Sequence, residues 1–135
     1  MKKHLSILLI LAIAFGAICT LTACDPTAGL DEVSFEEIAN ARMYSTYDVS
    51  STTITYNSEG TGTSTSSDPD TMSGAAVKSA IAASKLAIET SKIVYPKTYG
   101  DVYANKDYSK IVVYVYYRKS DDTLTSKSIT TYTKK

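Results

Sequence analysis

Between Lys110 and Thr133 the chain spells out a β-hairpin that leaves little freedom. Lys110–Lys119 (KIVVYVYYRK) is a run of β-branched and aromatic residues, the types that suit a pleated surface. Leu124–Thr133 is a second strand-forming run. Between them, Ser120-Asp121-Asp122-Thr123 supplies side chains that bond their own backbone in turns. A turn there sets a register, with Tyr117 opposite Ser126, Val115 opposite Ser128 and Val113 opposite Thr130. Side chains alternate across a strand. Ile111, Val113, Val115 and Tyr117 therefore share one face. Val112, Tyr114, Tyr116 and Arg118 share the other, beside Lys127 and Ile129. The valine face needs a cover.

The cover is expected upstream. Met72–Val94 is helical in composition, and Tyr95-Pro96 ends it. Asp68 is placed as its cap, Pro69 at its first position and Asp70 in its first turn. Val77, Ile81, Ile88 and Tyr95, with Ser84 and Ser91 between them, make one stripe; Ala75, Ala82, Leu86 and Ile93 make a weaker one opposite. Two stripes predict a helix sandwiched between the sheet and a second element, the first helix. That helix is expected over 35–43. Ser34 as N-cap and Glu37 at N3 form a capping box, Val33 and Ile38 a hydrophobic staple, and Glu36 and Glu37 suit the positive helix end. Val49–Tyr56 and Tyr99–Ala104 read as further strands. Ser58–Ser67 is almost wholly Ser, Thr and Gly, and reads as a loop. The fold class is α+β: a short N-terminal helix, then one long helix packed on a C-terminal antiparallel β-sheet.

The first residues carry an address. Met1-Lys2-Lys3-His4 is a positive start, and Leu5–Ile18 is apolar apart from Ser6 and Gly16. That is the pattern of a secretory signal peptide, shorter than the roughly 20 residues a bilayer-spanning helix needs. Leu21-Thr22-Ala23-Cys24 follows. It resembles the lipobox of bacterial lipoproteins: Leu, then a small residue before the cut, then Cys. Cys19 does not compete, because Ile18 is too large for the small-residue slot. The resemblance covers the first 24 residues. It implies lipid on the Cys24 sulfur, cleavage after Ala23 and a further acyl chain on the new amino terminus. It also implies a place on the extracytoplasmic side of the cell envelope, anchored in the membrane through lipidated Cys24. One acyl chain binds only marginally, and two or three hold durably. Asp25 resembles the residue that keeps Gram-negative lipoproteins in the inner membrane. On this reading 1–23 is signal, 24–33 a lipidated tether and 34–135 a single small domain.

The mature chain would hold 112 of the 135 residues, enough for one modest core. Residues 25–73 carry nine acids against Arg42 alone, whereas 74–135 carry eleven basic groups against five acids. The halves can attract each other within one fold, or the basic half can meet an anionic surface. With Cys19 removed and Cys24 alkylated, the domain has no thiol; with His4 removed, it has no histidine. Ser-His-Asp and Cys-His catalysis are thereby excluded, as are zinc sites built on Cys and His. Asp68 with Asp70, and Asp121 with Asp122, are the carboxylate pairs left; a helix cap and a turn account for them. No cofactor, metal or nucleic-acid partner is expected.

What remains is recognition. Tyrosine is large, fairly rigid and carries a hydroxyl, which suits it to contact surfaces. Tyr114 and Tyr116, with Arg118 and Lys127 nearby, form one candidate binding face. Lys78, Lys85 and Lys92 recur every seven residues along the long helix and form a second. The expected function is a membrane-anchored, non-enzymatic interaction module meeting an envelope protein or anionic polymer. The alternative is a domain binding a small ligand or cell-wall polymer, with a Tyr-lined pocket between helix and sheet.

Overall fold

A computed structural model describes residues 25–135. The signal segment, the lipobox and Cys24 lie outside the described residues. The elements run β1 (Asp31–Val33), α1 (Phe35–Asn40), β2 (Thr46–Tyr56), β3 (Gly62–Ser66), β4 (Asp70–Ser73), α2 (Gly74–Ser91), β5 (Tyr99–Ala104), β6 (Lys110–Arg118) and β7 (Leu124–Lys134). The strands form one seven-stranded sheet in the order β1-β5-β6-β7-β2-β3, with β4 also on β2. Every pairing is antiparallel.

The C-terminal hairpin takes the register that its turn dictates. Tyr117 pairs with Ser126, Val115 with Ser128 and Val113 with Thr130. A bulge follows, which pairs Arg118 with Leu124. The extra residue, Thr125, donates its hydroxyl to the Tyr117 carbonyl at 2.8 Å. The turn closes with Lys119 N–H on the Thr123 carbonyl, and Asp122 takes a left-handed conformation. Asp121 accepts from Thr123 N–H at 3.0 Å. Its carboxyl is held below the ordinary value first by the Thr123 hydroxyl and then by that N–H.

Both long connections, β1-α1-β2 and β4-α2-β5, put their helices against the same side of the sheet. Val77, Ile81 and Ile88 of α2 and Ile38 of α1 pack with Ile111, Val113, Val115, Val102 and Tyr132 in one core. Phe35 and Tyr117 close its margin. The valine face is thus the covered one. Ser34 caps α1 by accepting from Glu37 N–H at 3.0 Å. The helix stops at Asn40 rather than Met43, because Ala41 turns extended and Met43 enters the core.

Three expectations change in the β2–α2 region. Ser58–Ser67 is not a plain loop. Gly62–Ser66 is β3, paired with the distal half of β2. Asn57 builds the turn by accepting from Glu59 N–H and Thr61 N–H. Asp70–Ser73 is likewise strand, not helix, pairing with the proximal half of β2. The helix cap is consequently Ser73, accepting from Ala76 N–H at 3.1 Å, and not Asp68. Pairing Tyr47 with Met72 brings Met72 to the core margin, a gain that a helix beginning at Pro69 would forgo. Gly74 then sits so close to Met43 that no side chain fits.

Nor is α2 sandwiched. Its second stripe faces outward, with Leu86 66% and Ile93 86% exposed. α1 lies beside α2 on the sheet rather than over it. Part of the expected tether, Asp31–Val33, is an edge strand on β5.

Candidate functional site: the aromatic face of the sheet

With both helices of the described residues on one side, the residues of opposite parity lie on the other side of the sheet. On β6 these are Val112, Tyr114, Tyr116 and Arg118. On β7, Lys127 pairs opposite Tyr116 and Ile129 opposite Tyr114. On β5, Tyr99 pairs opposite Tyr116 and Tyr103 opposite Val112. Val112 is fully buried and Tyr114 nearly so, yet neither belongs to the core under the helices.

The tyrosines form a continuous stack. Tyr114 and Tyr116 are parallel at 5.8 Å between ring centroids, and Tyr99 stacks on Tyr116 at 4.7 Å. Tyr103 meets Tyr114 edge-on at 5.9 Å. Lys127 Nζ lies 5.0 Å from the Tyr114 centroid and 5.4 Å from that of Tyr116. Arg118 stands over Tyr99 at 5.9 Å and also donates to the Asp122 carbonyl. Cation–π attraction contributes about 0.5–1 kcal/mol at exposed sites, enough to orient the cations. Rings stacked on one another turn their edges and hydroxyls, rather than their faces, to a partner.

This packing changes the acidity of the rings. Burial, with the Asp101 carboxylate and neighbouring tyrosines adding, pushes the Tyr116 hydroxyl up to about 12. Tyr114 and Tyr103 are raised too, chiefly by burial. These hydroxyls therefore stay protonated and neutral at physiological pH. They can donate and accept hydrogen bonds.

The N-terminal segment reaches the same face. Asp25 lies within Coulombic range of Lys127, Lys110, Tyr103 and Tyr114. Its carboxyl is held below the usual range first by the Thr27 hydroxyl and N–H, then by those two lysines. Turns at Asp25–Ala28 and Thr27–Leu30 fold the segment back on itself before β1.

All four residues expected on the Tyr face, Tyr114, Tyr116, Arg118 and Lys127, are brought together. Tyr99, Tyr103 and Asp101 join them; the alternation Tyr-Gly-Asp-Val-Tyr in β5 was the signal for this. The lysine row is engaged differently. Lys78 Nζ donates to the Ala41 carbonyl at 2.9 Å, and Lys85 pairs with Glu36 at 3.6 Å. Both tie α2 to α1. Lys92 pairs with Glu89 on its own helix at 3.1 Å.

The carboxylate pairs occupy exposed turns and a strand edge. Asp70 accepts from its neighbour Thr71 N–H, and Asp122 pairs with Lys97 at 2.9 Å. Among the described residues no group of three or more acids, histidines or cysteines could hold a metal. Clefts of about 340 and 430 Å³ open at the surface, beside Phe35 and Gly100 and beside Met43 and Lys78. Neither is lined by Tyr114 or Tyr116. No family model, curated protein or solved structure matches this chain.

Proposed function

We propose that the chain is a lipid-anchored protein of the bacterial cell envelope. Its domain acts by recognition through the aromatic face of the sheet, without bond-making chemistry of its own. The single observation that supports this most strongly is the stack Tyr99-Tyr116-Tyr114 with Lys127 above it, on the face where Asp25 lies. Neutral tyrosine hydroxyls beside Lys127 and Arg118 suit a partner rich in carbonyl and carboxylate oxygens. Acyl chains on Cys24 would keep the domain beside the bilayer and concentrate it near other envelope proteins. The anchor itself is read from the lipobox resemblance.

A photo-crosslinking side chain at Tyr116, in the native membrane, tests the reading. The expected result is crosslinking to one envelope protein, lost when Tyr114→Ser is added. Crosslinking that Tyr114→Ser leaves unchanged removes this face. A second reading, an anionic cell-wall polymer, draws on Lys110, Lys127 and Arg118. It predicts retention on that polymer that falls steeply with salt.

A further inference from the structure

The far edge of the sheet has a different character. β3 closes the strand order, and β2 is its one strand partner among the described residues. The direction of its backbone groups follows from the bonds at its two ends. Thr61 accepts from Asn57 N–H at 3.0 Å, and Ser67 donates its N–H to the Ser51 carbonyl at 2.9 Å. Antiparallel bonding alternates. Thr61, Thr63, Thr65 and Ser67 therefore turn their backbone groups to β2. Gly62, Ser64 and Ser66 turn theirs outward. Three N–H and three C=O groups line up along an edge whose five residues are all exposed.

Such an edge is a template for another strand, and chains usually blunt it with a charge, a proline or a bulge. Gly62–Ser66 contains none of these. Its ends do carry charge: Glu59 before it, Asp68 and Asp70 after it. Those acids bear on the occupant. A second copy pairing about Ser64 would set Glu59 of each chain beside Asp68 of the other, so like charges meet at both ends. A strand with basic ends meets opposite charges there instead. Gly62 adds a side-chain preference. Ile54 and Tyr56 crowd the space where its Cβ would stand, at 2.8 and 3.1 Å, so they lean across it. A residue docked opposite Gly62 points to that same face, where a bulky apolar side chain covers the gap.

We infer that the outer edge of β3 docks an extended segment of a partner protein, apolar opposite Gly62 and basic at its ends. The segment adds an eighth strand, with main-chain bonds to Gly62, Ser64 and Ser66 and charge contacts to Glu59, Asp68 and Asp70. This edge is separate from the aromatic face and needs no lipid on Cys24.

The test uses the full chain in detergent and two synthetic heptapeptides of valine and threonine with tyrosine as the sixth residue, so that an antiparallel peptide centred on Ser64 sets its tyrosine opposite Gly62. One has lysine at both ends and the other glutamate. The lysine-ended peptide is expected to slow amide exchange at Gly62, Ser64 and Ser66 by about tenfold or more, leaving Thr63 and Thr65 unchanged. Ser64→Pro removes an outward N–H and no bond to β2, and is expected to abolish that protection. Amide exchange at Val113 reports that the variant remains folded. Should Ser64→Pro loosen the hairpin, Glu59→Lys with Asp68→Lys serves instead, and is expected to reverse the preference between peptides. Unchanged exchange at the three amides overturns the docking edge. Equal protection by both peptides, or self-association relieved by Ser64→Pro, overturns the basic-ended occupant.

Discussion

Ile88 Cδ1 stands 2.5 Å from the point where a Cβ on Gly100 would lie, and the Tyr114 carbonyl oxygen 2.8 Å from it. The helix α2 is thus seated on β5 at a place where only a bare backbone fits. The isoleucine can swing, but the carbonyl belongs to the β5–β6 ladder and cannot. Gly100→Ala is expected to cost about 1–3 kcal/mol in urea unfolding, as overpacking does elsewhere. Trimming Ile88 to Val in the same chain is expected to recover only part of that loss.

The start of α2 offers a sharper comparison. Ser73 accepts from Ala76 N–H, whereas Asp68 lies outside the helix behind β4. Ser73→Ala is expected to lower stability by about 0.5–2 kcal/mol. Asp68→Ala should change it by less than about 0.5 kcal/mol. Chemical denaturation of the two variants decides between the two caps.

The lysine row makes a structural forecast. Lys78 bonds the carbonyl at the end of α1, so Lys78→Met is expected to cost roughly 1 kcal/mol. Lys85 and Lys92 make exposed pairs, and their methionine variants should stay within about 0.5 kcal/mol of the parent. Thermal melts of the three check the order.

Those contrasts show where residue pattern is enough and where it is not. The β6–β7 hairpin was legible down to its register, because a two-residue period and an Asx-rich turn specify both face and pairing. The buried stripe of α2 was legible for the same reason: Val77, Ile81 and Ile88 recur at helical spacing. β3 and β4 were not. Gly62–Ser66 buries nothing, so only pairing with β2 makes it a strand. Ser73 and Asp68 are equally good caps in isolation, and the Tyr47–Met72 pairing chooses between them. Leu86 and Ile93 read as a second buried stripe, yet both helical connections share one side of the sheet and nothing among the described residues lies above α2. That same topology leaves the aromatic face clear of the two described helices, with Val112 and Tyr114 buried on it all the same. Tyr114, Tyr116, Arg118 and Lys127 were visible as its members from strand parity alone. Tyr99 and Tyr103 needed the order β5-β6.

The stacked tyrosines give a pH dependence with a definite sign. The Tyr116 hydroxyl is pushed from about 10 to about 12 by burial and by Asp101. Its folded value lies above its unfolded one, so the unfolded chain ionises first. The stabilisation is present below pH 10 and is lost as pH rises through the window from about 10 to about 12. Tyrosinate absorbance of the folded protein should show a late-titrating group that is missing in Tyr116→Phe. Asp101→Asn is expected to move that group to lower pH.

The proposed anchor is lipid on the Cys24 sulfur, which would hold this domain beside a bilayer. Intact-mass measurement of the protein from its native host tests that most directly. The predicted mass is that of residues 24–135 plus two or three acyl chains, with the added mass on Cys24. A mass that retains residues 1–23, with Cys24 unmodified, contradicts it.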